Sequence, residues 1–302
     1  MGSNAGKSGA VVITVNYKSG DSALALLTSL ERTKAFSEIE VVVVDNSPGE
    51  EDLPKIRSAV GKYANAELIE SPTNRGYFGG GRLGFDHYLE QGNGLPDWVI
   101  VCNTDVQIED EEFLSKLFRQ DPEAVGVIAP RIQALPGRVD QNPFMRRRPG
   151  PLRWVNLRFV SSNYAVAVVW DWLWRRKSQF KSWLAARRRS SLPDHAAERE
   201  SIYAAHGSFF IFSRRYFEAG GFLDGNLFLY GEEISVAEIC RSLGLPVVYE
   251  PSLCVLHKEH QSTGRVLSRF TYECQKKAMQ YVTSRYLSRS QRHAGSCQPD
   301  VS

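Results

Sequence analysis

Short apolar runs that close on polar residues, separated by helix-like segments, constrain this chain most. Trp98 to Cys102 is apolar throughout and ends in Asn103-Thr104-Asp105. Val41 to Val44 ends in Asp45-Asn46-Ser47, and Val11 to Val15 ends in Asn16-Tyr17. Such runs read as strands buried on both faces. Further strand-like runs cover Ile39 to Val44, Glu67 to Ile69 and Val125 to Ile128. Between them lie helix-like stretches at Ser22 to Arg32, Leu53 to Tyr63, Arg82 to Glu90 and Glu111 to Phe118. This alternation predicts a mostly parallel, Rossmann-like α/β sheet flanked by helices. Asp21 is a candidate cap for the first helix, and Glu109 to Glu112 suit the dipole of the fourth.

The 302 residues are enough for one large α/β domain or two smaller ones. The net charge of +3 is too small to imply nucleic acid by itself. Five cysteines are scattered without a C-x-x-C pair, which argues for a reducing compartment rather than a disulfide framework or zinc site. The first apolar run, Ala10 to Val15, is too short for a signal segment, and no run approaches the roughly 20 apolar residues of a membrane span. The expected location is cytoplasmic, with peripheral contact at the inner membrane face. Gly2 to Ser8 imitates a phosphate loop, but it is one residue short and precedes the first strand.

The alternation breaks between Gln133 and Glu200. Trp154, Trp170, Trp172, Trp174 and Trp183 fall here, among arginines and lysines, and Asp171 is the only acid from Arg146 to Arg189. Tryptophan and basic side chains together suit an anionic membrane surface. They suit equally an acceptor-domain core with a solvated basic face, or an oligomer interface. Strand character returns at Ser208 to Ser213 and Pro246 to Tyr249, with a helix from Glu232 to Leu243 between them. The expected divisions are a flexible leader (1–9), a first α/β half (10–132), a basic Trp-rich insertion (133–206), a second half of the same α/β domain (207–264) and a helical tail with a disordered end (265–302).

Three strands deliver polar groups at their carboxyl edge, where open α/β sheets gather ligands. The same residues also read as turn and cap residues. Asn74 to Arg82 is glycine-rich, which permits close backbone approach to a ligand or simply a tight connection. Glu232 and Glu233 open a helix, as dipole partners or as a general base. His257 follows an apolar run and, with Asp105, would make a mixed oxygen and nitrogen site for a divalent ion.

In order, Val-Asn-Tyr (15–17), Val-Val-Asp-Asn-Ser (43–47), Asn-x-Gly-x-x-Gly-Gly (74–80), Asn-Thr-Asp (103–105), Gly-x-Phe-Phe-Ile (207–211), Gly-Gly-Phe-Leu-Asp (220–224), Tyr-Gly-Glu-Glu (230–233) and Pro-x-x-x-Val-x-His (251–257) resemble family 2 inverting glycosyltransferases. The similarity is greatest to the rhamnosyltransferase-like branch. It spans roughly Val11 to Pro130 and Gly207 to His257. The resemblance implies a GT-A fold, a nucleotide-sugar donor (dTDP- or UDP-linked) and a divalent metal, manganese or magnesium. It implies that Asn16, Tyr17 and Asp45 hold base and ribose, and that Asn74, Gly76, Gly80, Arg82, Asn103 and Thr104 line the donor site. It assigns Asp105 and His257 to the metal, and Glu233, with Glu232 as the register alternative, to the catalytic base. The branch favours dTDP-rhamnose and a saccharide acceptor, lipid-linked, in cell-surface polysaccharide synthesis.

The sequence departs from the family pattern in three respects, at four positions. Asn103 replaces the first acid of D-x-D, Arg82 stands where asparagine is usual, and Glu233 replaces aspartate while Ser235 replaces a following acid. These departures leave two rivals: a catalytically weakened nucleotide-sugar-binding protein and a UDP-sugar-dependent transferase. A single-strand nucleic-acid binder has only the basic aromatic stretch in its favour, without a recognised module. A nucleotidyltransferase lacks its glycine- and arginine-rich loop after the first strand.

Overall fold

The computed structural model describes residues 9–49, 52–170, 172–173, 176, 197–258 and 268–287. The phosphate-loop imitation, Asp171, Trp174, Trp183, the arginines at 187–189 and the tail beyond 287 lie outside the described residues. The chain divides into two compact units, one of residues 1–148 with 199–259 and one of residues 149–198 with 260–302.

The first unit is built on one sheet in the order β3-β2-β1-β4-β9-β6-β10-β5, with β7 pairing β6 and β8 pairing β10. Strands β1 (Ala10–Asn16), β2 (Ile39–Asp45), β3 (Ala66–Glu70) and β4 (Trp98–Asn103) are mutually parallel. Helices α1 (Gly20–Glu31), α2 (Leu53–Val60) and α3 (Tyr77–Glu90) connect them. Ala10 to Ile13 and Trp98 to Cys102 are buried without exception, as apolar runs between two covering layers require. At about 1.5–3 kcal/mol for each large apolar side chain withdrawn from water, these strands anchor the unit.

The sheet is mixed rather than mostly parallel. After β5 (Val106–Gln107), α4 (Phe113–Phe118), β6 (Val127–Ala134) and β7 (Val139–Asp140), the chain leaves for the second unit. It returns through β8 (Glu200–Ile202) to β9 (Phe209–Ser213). Phe209 pairs with Cys102, so β9 starts where β4 ends and must run back along it. It is antiparallel to β4 and to β6, and all five of its residues are buried. The residues just before it, Gly207 and Ser208, therefore lie at the carboxyl edge of β4, and Asn103 N donates to Ser208 O at 2.9 Å.

Two local expectations are corrected. Helix α3 starts at Tyr77 instead of Arg82, so the glycine-rich stretch forms its first turns. Gly76 makes this start possible with φ 73°, and any Cβ there would fall 2.0 Å from Phe228 O. Within the helix, a Cβ at Gly80 would meet Val15 Cγ1 at 2.7 Å, and one at Gly84 would meet Ile13 and Val44 at 2.8 Å. The glycines let α3 lie directly on β1 and β2. Asp21 does not cap α1: Ser19 holds that position without a side-chain capping bond, and Asp21 sits in the first turn, paired with Lys55.

Helices α7 (Arg214–Glu218) and α8 (Glu232–Ser242) follow β9, and the chain closes the sheet with β10 (Val247–His257). Gly244, at φ 68°, ends α8 as expected. Strand β10 runs parallel to β6, with an irregularity between Glu250 and Cys254. Its last two residues pair with β5, His257 opposite Val106 and Leu256 opposite Gln107. The second unit contains α5 (Pro151–Ser162), α6 (residues 164–170) and α9 (Arg269–Tyr286), with Tyr164, Ala167, Val168 and Tyr272 packed together. Among the described residues no helix is long and apolar enough to cross a membrane.

Candidate active site

The carboxyl ends of β1, β2 and β4 are tied by one chain of side-chain hydrogen bonds. Asn16 Nδ2 donates to Asp45 Oδ1 at 2.9 Å, Ser19 Oγ donates to Asn16 Oδ1 at 2.9 Å, and Ser19 Oγ lies 2.9 Å from Thr104 Oγ1. Asp45 Oδ1 also accepts from Ser47 N. Asn16, Asp45 and Thr104 are all buried at the carboxyl edge of the sheet, while Tyr17 beside them is half exposed. Asn46, next to Asp45, donates to Gly76 O at 2.8 Å and joins this edge to the start of α3.

Asp105 follows β4 and His257 ends β10. Because His257 pairs with Val106, the two side chains meet, with Nε2 of His257 3.2 Å from Oδ1 of Asp105. Asp105 Oδ1 is buried and accepts no hydrogen bond, and His257 is buried as well. On the other side of the ring, His257 Nδ1 lies 2.7 Å from Gln141 Oε1. That bond assigns the proton to Nδ1 and turns the Nε2 lone pair toward Asp105. Two lone pairs at this separation repel unless a proton or cation lies between them. An oxygen and a nitrogen so arranged fit a divalent cation, with the remaining positions left to a ligand's oxygens. Among the described residues no group of three or more His, Cys, Asp or Glu could hold a metal alone.

The paired acids occupy the first turn of α8, behind Gly231 at φ 88°. Glu233 lies against Gly207, where an added Cβ would stand 2.7 Å from its Oε1. Burial raises the pKa of Glu233, partly offset by hydrogen bonds from the backbone at Glu233, Gly207 and Gly231. Glu232 is buried, and burial followed by the neighbouring Glu233 charge pushes it up to about 8. Burial first, and then the charges of Cys102, Glu232, Glu233 and Asp105, raise the pKa of the Tyr77 phenol well above its ordinary value. Tyr77 donates to Val101 O at 3.1 Å.

The structure therefore brings Glu232, Glu233, Asn103, Thr104, Asp105 and His257 to one edge. Gln141, His206 and Tyr77 join them without having been singled out from the sequence. Burial is the largest cause that lowers the His206 pKa to about 4. Its Nδ1 accepts from Ser208 N at 3.2 Å, which leaves the proton on Nε2. Its ring lies 6.0 Å from that of His257. Nothing in the local sequence marks Gln141, which falls where the alternation breaks. Arg82 is exposed, pairs with Asp86 at 3.3 Å, and lines a cleft of about 530 Å³ with Asn74, Arg75, Gly225 and Asn226. Asn74 also accepts from Gly76 N at 2.9 Å.

A family model described as "Glycosyl transferase family 2" matches residues 11–221, more than half of the chain. The chain is 27% identical over 261 residues to N-acetylglucosaminyl-diphospho-decaprenol L-rhamnosyltransferase of Mycobacterium tuberculosis, covering 84% of this chain and 77% of that protein. Among solved structures it is similar to S. aureus TarS 1-349 in complex with UDP-GlcNAc, with TM-score 0.53, 13% identity and coverage of 96% of this chain and 76% of that one. It is also similar to GalNAc-T7 with UDP, GalNAc and Mn2+, with TM-score 0.52, 14% identity and 84% of this chain covered, although it spans only 44% of that chain. The two structural likenesses bear on the fold, which is of the GT-A type. With the family match added to the cleft and fold described above, the chain belongs to glycosyl transferase family 2, and its similarity lies with the rhamnosyltransferase-like branch.

Proposed function

We propose that this chain is an inverting glycosyltransferase that moves a sugar, rhamnose from dTDP-rhamnose, onto a lipid-linked saccharide acceptor. The observation that carries this reading is the meeting of Asp105, His257 and the Glu232–Glu233 pair at one sheet edge. The 27%-identical relative, named for rhamnosyl transfer to N-acetylglucosaminyl-diphospho-decaprenol, supports the choice of sugar and acceptor class.

Glu233 is the better base of the pair, because Glu232 is buried while Glu233 keeps some exposure to solvent and lies against Gly207 at the carboxyl edge of β4. Its ionised carboxylate takes the proton from an acceptor hydroxyl. The hydroxyl oxygen forms a bond to the anomeric carbon as the bond from that carbon to the diphosphate breaks. Attack opposite the leaving group inverts the anomeric configuration. Asp105 and His257 would hold a divalent cation, Mn2+ or Mg2+, which when bound neutralises charge on the departing diphosphate as a Lewis acid. Tyr17 would offer its exposed ring to the base, with Asn16 and Asp45 supporting the edge behind it. Gly76 and Gly80 would shape the donor side, and Asn74 and Arg82 would reach ligand through the cleft that they line together.

A thermal-shift screen of nucleotide sugars with and without Mn2+ tests this reading, since a ligand of the native state raises Tm by mass action. dTDP-rhamnose should give the largest shift, and transfer of labelled rhamnose to a prenyl-diphosphate-linked sugar should follow. A larger shift and turnover with a UDP-sugar would replace the donor. Binding without turnover would make the chain a nucleotide-sugar-binding protein.

A further inference from the structure

We infer that helix α5 is an in-plane docking element for an anionic lipid surface. On a helix of about 100° per residue, Leu152, Val155 and Phe159 form one stripe, with Arg153 and Arg158 on its two sides. All three apolar side chains face solvent, at 82%, 62% and 67% exposure, while Trp154 on another face is 7% exposed and turns inward. Among the described residues the helix thus has an anchoring side, at Trp154, and a second, outward apolar side that is left uncovered. Both arginines are exposed, and neither pairs with a carboxylate among the described residues. From Arg146 to Trp170 the sequence holds no acid. In the same unit Trp170 and Trp172 are half exposed, and the Arg176 guanidinium lies 4.9 Å over the Trp172 ring.

This chemistry selects the occupant. A stripe of large apolar side chains with guanidinium groups on both margins matches the acyl boundary of a bilayer, with the arginines among phosphate headgroups. A second copy of the chain docked through this stripe by a two-fold axis would bring basic margins against basic margins, with no acid on the helix to relieve them. Neutral lipid would satisfy the stripe but not the arginines. The surface therefore takes an anionic phospholipid bilayer, and docking would keep the enzyme where a lipid-linked acceptor resides. The inference stands on α5 alone, so failure of docking leaves nucleotide-sugar binding in solution untouched.

The test is co-sedimentation of the full chain with vesicles of phosphatidylcholine alone, or of equal parts phosphatidylcholine and phosphatidylglycerol. The wild-type chain should sediment with the anionic vesicles, weakly or not at all with the neutral ones, and less as salt is raised. The Leu152→Ser, Val155→Ser, Phe159→Ser triple variant should lose at least about tenfold in partitioning. Arg153→Ala and Arg158→Ala should each lose roughly fivefold, and should keep wild-type circular dichroism if the triple variant does not fold. No sedimentation of the wild-type chain with anionic vesicles would overturn the inference. So would equal binding by both arginine variants, or a dimer in solution that the triple substitution dissolves while vesicle binding persists.

Discussion

His257 Nε2 stands 3.2 Å from Asp105 Oδ1, and that oxygen is buried without a hydrogen bond. The pair meets because the end of β10 is laid antiparallel to β5, immediately after Asp105. With the His257 proton held on the far nitrogen by Gln141, the near side presents two lone pairs and calls for a positive charge between them.

Two protein groups are too few for a tight site, so the cation and nucleotide should bind together. Titration calorimetry should show weak Mn2+ binding to the free chain and much stronger binding with dTDP present. Asp105→Asn and His257→Ala should each abolish that gain. Tight Mn2+ binding without nucleotide would contradict the assignment.

Gln141 should act as a positioning residue for His257. Partners that orient a metal-binding histidine are worth about 10–100-fold in metal affinity. Gln141→Leu is expected to lose affinity in that range, and Gln141→Glu, which still accepts from Nδ1, to retain it. Mn2+ affinity in the presence of dTDP, followed by electron paramagnetic resonance, reads the effect without turnover. Equal affinity in the leucine variant would remove Gln141 from this role.

Glu233→Gln should keep nucleotide binding and lower kcat by about 10²–10⁴-fold, the ordinary worth of a positioned base. Gly207→Ala should act through the same carboxylate, because its methyl group would stand 2.7 Å from the present position of Oε1. The side chain must shift, with an overpacking cost of about 1–3 kcal/mol. A Gly207→Ala enzyme with wild-type kcat and Tm would show that the Glu233 position is not critical.

The acid pair predicts opposite pH trends for stability and activity. Burial raises both pKa values, Glu232 to about 8, above the unfolded glutamate value of about 4.3. The folded state therefore holds more protons than the unfolded state between these values. Its stability is fully present below the unfolded pKa and is lost as pH rises through the folded one. Urea midpoints should fall from about pH 5 to about pH 8, and Glu232→Gln should flatten the decline by about 1–3 kcal/mol. Turnover should rise with pH, since the base Glu233, whose pKa burial raises, must be ionised. A urea midpoint independent of pH would sink this account.

Much of this protein was legible locally. Trp98 to Cys102, Val41 to Val44 and Val11 to Val15 announced buried strands, because a residue run with no polar face has no other place in water. Their polar ends marked the binding edge, and the order of short motifs marked the family. The mixed sheet was not legible. Phe209 to Ser213 reads as a buried strand in either direction, and only its pairing of Phe209 with Cys102 makes it antiparallel. The glycines after Asn74 read as a loop because their flexibility is visible in sequence, whereas their contact with Val15, Ile13 and Val44 is not.

The sequence by itself determined which side chains could bear chemistry: the acid at Asp105, the histidine at His257 and the pair at Glu232 and Glu233. Tertiary structure decided what surrounds them. It set Gln141 behind His257, Gly207 under Glu233 and the Tyr77 hydroxyl on Val101 O, and it put Arg82 and Asn74 on one cleft. Chemical type is a property of each residue alone. Tautomer, raised pKa and ligand geometry arise from neighbours brought together by strand pairing across long stretches of chain.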